Sequence, residues 1–110
     1  MNKKLYDKII KFRDERNWSQ FHNPKDLAIS LSLEASELLE LFQWKSSQET
    51  VNNKLNEIKE ELADVLIYSI LLSDKLDIDI EKIIEQKLEK NKEKYPVEKA
   101  YNSKEKYNEL

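Results

Sequence analysis

Glycine and cysteine are missing from this chain, and proline occurs twice, as Pro24 and Pro96. Without cysteine there is no disulfide, thiolate ligand or thiol nucleophile, which fits a reducing compartment. Without glycine there is no glycine-rich loop to wrap phosphate in backbone N–H groups, and tight strand-joining turns lose their usual residue. Histidine is reduced to His22. It does not lie three residues after any glutamate, so the Glu-x-x-His pairs of a ferritin-like di-iron centre are excluded. No apolar run approaches the roughly 20 residues of a membrane span, and Met1-Asn2-Lys3-Lys4 carries no apolar signal core. The expectation is a cytoplasmic protein with no membrane partner. Nor does one sign of charge dominate: 19 basic and 22 acidic residues leave a net −3. That mixed surface argues against a general binder of nucleic acid polymers.

Glu, Lys, Leu and Ile dominate what is there, a composition that serves helices. At 110 residues the expectation is one all-α domain spanning 1–110. Leu5, Ile9 and Phe12, with Tyr6, Ile10 and Arg13 beside them, recur at helical spacing and predict a first helix over 3–16. The segment 18–23 breaks that period. Asn23-Pro24 then offers an N-cap followed by proline, opening a second helix over 25–44 that is apolar on most of its circumference. Ser46-Ser47 with Glu49 resembles a capping box before a third helix over 48–76, and Asp79 caps a fourth over 80–94 that Tyr95-Pro96 ends. Residues 97–110 show no sustained period. Two helices apolar on most faces exceed what so short a chain can cover, which predicts a four-helix bundle completed by homo-oligomerisation.

Four carboxylates interrupt the most apolar stretches. Glu34 and Glu37 lie among Leu33, Ala35, Leu38 and Leu39, while Glu61 immediately precedes, and Asp64 interrupts, the apolar run from Leu62 to Leu72. Residues three apart on a helix stand about 60° around the axis and roughly 4.5 Å along it, so each pair can aim at one point. Isolated Glu-x-x-Glu pairs usually belong to a solvated face. Here the apolar surroundings favour a cation, because burying charge costs several kcal/mol per group unless it is paired, protonated or metal-bound. An all-oxygen donor set selects Mg²⁺, with Mn²⁺ as substitute, over zinc or copper. Such a cage points to phosphate or polyphosphate substrates. Trp18, Phe21, His22 and Trp44 flank the helix bearing the first pair and offer faces on which a base can stack, although aromatics near helix ends more often simply pack. Lys87, Asn91 and Lys94 form a polar stripe on the fourth helix, either solvated or offering donors to phosphate.

These residues, taken together, resemble the MazG-like nucleoside triphosphate pyrophosphohydrolases, and among them the dCTP pyrophosphatase branch. The likeness runs through Trp18-Ser19-Gln20-Phe21-His22-Asn23-Pro24, the segment Glu34 to Lys45, and Glu60 to Tyr68. It continues through Lys87, Asn91, Tyr95-Pro96-Val97 and the final Lys106-Tyr107-Asn108-Glu109-Leu110. The resemblance implies Mg²⁺-dependent hydrolysis of a nucleoside triphosphate, dCTP or a modified pyrimidine analogue, to the monophosphate and pyrophosphate. It implies Glu34, Glu37, Glu61 and Asp64 as catalytic metal-holding residues; on mechanistic grounds a carboxylate left free of direct ligation, a glutamate of the first pair, is expected to act as base. Trp18, Gln20, Phe21, His22 and Trp44 would form the base and sugar pocket, and Tyr68, Lys87 and Asn91 would contact phosphate or sugar. It also implies a homo-oligomer, often a tetramer built as a pair of dimers, with residues 97–110 closing over the site or a neighbouring subunit. At Ile9 some relatives carry a polar residue, histidine among them, that faces the nucleotide, whereas this chain offers aliphatic surface. The competing readings are a non-enzymatic helical oligomeric interaction module and a related enzyme acting on dUTP or phosphoribosyl-ATP.

Overall fold

A computed structural model of the chain describes residues 1–110 and contains helices and turns only. Five α-helices follow one another: α1 (Lys3–Glu15), α2 (Pro24–Glu40), α3 (Ser47–Lys75), α4 (Ile80–Lys94) and the single turn α5 (Val97–Ala100). Short 3₁₀ turns lie at Trp18–Phe21 and Tyr107–Glu109. The all-α expectation holds. Two compact units are distinguished, Met1–Ile78 and Asp79–Leu110.

The anticipated caps are formed. Asn23 Oδ1 accepts from the Asp26 N–H at 2.8 Å, with Pro24 in the first helical position. Ser46 Oγ accepts from the Glu49 N–H at 3.1 Å, and Asp79 Oδ1 from the Lys82 N–H at 3.1 Å. Each satisfies a backbone donor that the first helical turn leaves without a partner. α2 stops four residues before the position expected from its apolar pattern. The chain tightens there into three-residue bonds, Phe42 N–H to Leu39 O at 2.9 Å and Gln43 N–H to Glu40 O at 3.1 Å. Trp44 then adopts a left-handed φ of 64°. Apolar periodicity does not register that change, because Leu41, Phe42 and Trp44 keep the segment largely hydrophobic while it leaves the helix. α3 is also interrupted, at Lys54, whose φ of −131° is not helical.

In the first unit α2 packs along α3, and α1 lies against α3. The core is small, with Leu27, Ile70 and Leu71 as its buried apolar side chains. Thr50 is fully buried and donates to Ser46 O at 3.2 Å and Leu41 O at 3.4 Å, tying the α2–α3 connection. α2 was expected to be buried on several sides, yet Ile29, Leu33 and Leu39 are exposed in the protomer. The first helix also presents a different face from the one its pattern suggests. Leu5 and Phe12 are half exposed, and the inward stripe is Tyr6, Ile9, Ile10 and Arg13. Its polar members explain the rotation: Tyr6 and Arg13 both bind Asp74 of α3. Two polar anchors outweigh the preference for burying one more phenylalanine, since an unpaired Asp74 or Arg13 in this position would lose its partner without regaining full hydration.

The second unit comprises α4, α5 and the final turn. Its tail is folded: the rings of Tyr95 and Tyr107 meet edge to face at 6.1 Å, and Lys94 Nζ lies 4.9 Å from the Tyr107 ring centre. Those contacts span twelve and thirteen positions, too far for local periodicity to reveal order there. No helix is long and apolar enough to cross a membrane.

Candidate metal and nucleotide site

α2 supplies Glu34 and α3 supplies Glu61 and Asp64, and carboxylate oxygens from these three lie within 4.8 Å of one another. All three residues are partly buried. Glu37, one turn beyond Glu34, is exposed and stands beside the cluster rather than within it. Its carboxylate is near enough to push both Glu34 and Glu61 upward. Burial is the leading cause of both shifts, followed by Glu37, and Asp64 adds repulsion. Glu34 is raised to about 7. Three partly buried acids that repel one another, with a fourth beside them, favour taking up protons or a cation.

Nothing in the protein neutralises them. The ion pairs of Arg13 with Asp14 and Asp74, and of Lys92 with Glu89, involve none of these carboxylates. Glu34 Oε2 and Glu61 Oε2 are both buried without a hydrogen-bond partner. Orphaned carboxylate oxygens facing other carboxylates are costly. A divalent ion removes that cost, and the all-oxygen donor set suits a hard one. Glu34, Glu61 and Asp64 therefore fit a divalent metal.

Glu34 and Asp64 also line a cleft of about 440 Å³. Its wall continues over Ile67, Tyr68 and Leu71 of α3 and over Lys8, Ile9, Phe12 and Arg13 of α1. Trp18 and His22 close it from the segment after α1. That segment is set by Asn17, whose left-handed φ of 54° turns the chain into the 3₁₀ turn. Asparagine tolerates this conformation better than most residues. Trp18 packs edge to face on Phe12 at 5.7 Å, and the Arg16 guanidinium covers the Phe12 ring at 3.8 Å. Lys75 Nζ reaches Ser19 O at 3.5 Å, holding the turn against the end of α3. The imidazole of His22 is shifted downward, first by burial and then by Arg13 and Lys75, and its Nδ1 is buried with no partner.

Of the residues singled out in the sequence, Trp18, His22, Tyr68, Glu34 and Asp64 meet in this one cleft. Gln20, Phe21 and Trp44 are not among its lining residues. Gln20 Nε2 donates to Asn17 O at 3.1 Å, Phe21 is 65% exposed and Trp44 is 93% exposed. Lys87 and Asn91 belong to the second unit, one turn apart on α4. Lys8, Phe12 and Arg13 line the cleft without having been marked as site residues. The available signal was Arg13, a charge seven positions after Tyr6 on a stripe that is otherwise apolar.

The chain is 38% identical over 104 residues to dCTP pyrophosphatase 1 of both Rattus norvegicus and Homo sapiens, the match taking in 90% of this chain and 61% of each relative. The chain thus spans about three fifths of the length of these curated relatives. Among solved structures it is similar to a crystal structure of a pyrophosphatase from Archaeoglobus fulgidus. That likeness has a TM-score of 0.81 and 45% identity, and covers 86% of this chain and 91% of the other. The family model described as MazG-like matches residues 29–110, the stretch that carries all four carboxylates and Tyr68. With helices, acidic cluster and sequence agreeing, the chain belongs to the MazG-like family.

Proposed function

We propose that the protein is a Mg²⁺-dependent nucleoside triphosphate pyrophosphohydrolase that converts dCTP, or a modified pyrimidine analogue, to the monophosphate and pyrophosphate. The observation that carries this reading is the cluster of Glu34, Glu61 and Asp64, two of which, Glu34 and Asp64, line a cleft together with Trp18. One end of that cleft suits a cation and phosphates, and the aromatic part suits a base. The dCTP pyrophosphatase relatives and the archaeal pyrophosphatase support the same assignment.

Glu34, Glu61 and Asp64 would hold the metal, with Mg²⁺ preferred and Mn²⁺ able to substitute. When bound, the ion offsets the charge of the triphosphate and polarises the phosphorus under attack. Glu37 lies beside those ligands and outside their cluster, which suits it to orient the attacking water and take its proton. The new bond joins the water oxygen to phosphorus, and the bridging P–O bond on the pyrophosphate side breaks. Trp18 stacks on the base, His22 meets it with a neutral imidazole, and Tyr68 contacts sugar or phosphate. In this reading Lys87 and Asn91 also serve phosphate or sugar, and residues 97–110 close over the site or a neighbouring subunit as part of one functional domain.

The working form is a homo-oligomer, a dimer at least and a tetramer by family habit, acting on free nucleotides in the cytoplasm. Exposed Ile29, Leu33, Leu39, Leu62 and Leu66 supply apolar area for that association. Trp44, exposed in the protomer and with a left-handed φ, would contact a neighbouring subunit in this reading. The test is incubation of purified protein with Mg²⁺ or Mn²⁺ and a panel of canonical and modified nucleoside triphosphates, reading monophosphate and pyrophosphate. Metal-dependent release of both supports the assignment. Absence of turnover across the panel defeats it and favours the interaction-module reading.

A further inference from the structure

Arg13 is a buried cation, only 7% exposed, in the wall of the cleft. Its Nε donates to Asp14 Oδ1 at 2.9 Å and its Nη1 to Asp74 Oδ2 at 2.7 Å. Asp74 is braced in turn, since the Tyr6 hydroxyl donates to Oδ1 at 2.9 Å. Two carboxylates thus fix both the position and the plane of the guanidinium. A buried ion pair is seldom a better brace between helices than apolar side chains of similar volume. A brace alone therefore does not explain why a guanidinium stands at a cleft wall.

Its location is the second clue. Asp64, Ile67, Tyr68 and Leu71 line the cleft from one face of α3, and Asp74 continues that face beyond Leu71. From Asp64 to Asp74 the helix rises roughly 15 Å. The acidic cluster thus occupies one end of a cleft of nucleotide dimensions, and Arg13 is moored to the other. Trp18 and His22 line the same cleft, and His22 offers a buried Nδ1 with no partner. Ile9, one turn before Arg13, contributes only hydrocarbon to that wall.

We propose that Arg13 is a specificity-determining residue whose remaining guanidinium donors meet O2 and N3 of a cytosine-type base. The inference rests on the nucleotide reading above. Cytosine presents those two acceptors side by side, matching a planar fork. Uracil and thymine carry a hydrogen on N3, which would face another donor. Arginine offers no acceptor and stays charged, so it has no means of adapting to that edge. Asp14 and Asp74 prevent the fork from turning away, and discrimination follows from an unmet donor rather than from size.

The experiment compares kcat/KM for dCTP and dUTP in the full chain with saturating Mg²⁺, for the native protein, Arg13→Gln and Arg13→Lys, with helicity checked by circular dichroism. The native protein is expected to favour dCTP. Both folded variants are expected to reduce that preference about tenfold or more, mainly through KM, because lysine keeps the charge but not the fork. An unchanged preference in either folded variant overturns the proposal and leaves Arg13 as a brace. A substrate-side readout needs no variant: the triphosphate of 3-deazadeoxycytidine, with C–H in place of N3, should lose a similar factor on the native protein. Full activity on that analogue also overturns the proposal. Native protein that hydrolyses no nucleoside triphosphate defeats the functional reading instead. Calorimetric affinities for dCMP and dUMP then decide the present point, equal affinities overturning it.

Discussion

Glu34 of α2 and Glu61 of α3 each bury an Oε2 that no donor reaches, and both oxygens belong to groups pushed upward by burial and by Glu37. Helices packed around repelling carboxylates are less stable than they would be with neutral side chains of the same shape. The site is therefore arranged for what it binds and not for the stability of the empty protein.

Replacing Glu34 or Glu61 with glutamine separates these two demands. Either change is expected to raise the melting temperature of the metal-free protein by relieving repulsion, and to abolish the further rise produced by Mg²⁺. Turnover should fall by at least about a hundredfold, as when a transition-state charge contact is lost. Thermal melts with and without Mg²⁺ read the first effect and product release reads the second. A variant that keeps full activity removes its residue from the site.

The pH dependence follows from Glu34. Its folded pKa, about 7, lies above the ordinary glutamate value of 4.5. Across that interval the folded state holds more protons than the unfolded chain, so this group's contribution is complete below pH 4.5 and is lost as pH rises through about 7. The metal-free native protein should lose stability over this window relative to Glu34→Gln, which lacks the titrating group. Mg²⁺ affinity should rise over the same window, because the ligand must shed its proton. Parallel melting curves for the two proteins across the range would contradict the assignment.

The Asp74 bridge is a stability element. Asp74→Ala leaves Arg13 buried beside Asp14 alone and removes the acceptor of Tyr6. A loss of about 2–4 kcal/mol is expected, below the top of the range for buried pairs because the Asp74 side chain is 31% exposed. Tyr6→Phe removes a single hydrogen bond and should cost about 1–2 kcal/mol. Denaturant unfolding measures both, and a ranking with Tyr6→Phe the more damaging would refute this account.

Trp44 tests the assembly. At 93% exposure it contributes little to its own protomer, so Trp44→Ala should leave monomer stability within about 0.5 kcal/mol. If its ring completes a neighbouring subunit's pocket, KM for the nucleotide rises while the helical content stays the same. Light scattering should give a mass of at least twice the 13.2 kDa of the chain. A monomer at micromolar concentration would remove the oligomeric reading.

Helix identity, the caps at Asn23, Ser46 and Asp79, and the pairing of acids three positions apart were all readable in the linear chain. Each is a local matter, settled by side-chain periodicity and by which residue can satisfy the first free N–H groups of a helix. The resemblance added the family on the same residues. Packing alone decided that Glu34, Glu61 and Asp64 form the tight cluster while Glu37 stands beside it, because their approach depends on how α2 is rotated against α3. It also turned α1 onto its Tyr6–Arg13 stripe, drawn by an aspartate sixty-one positions after Arg13. A hydrogen bond across that separation leaves no periodic trace, and the outward placement of Trp44 hangs on one left-handed residue that an apolar pattern does not reveal.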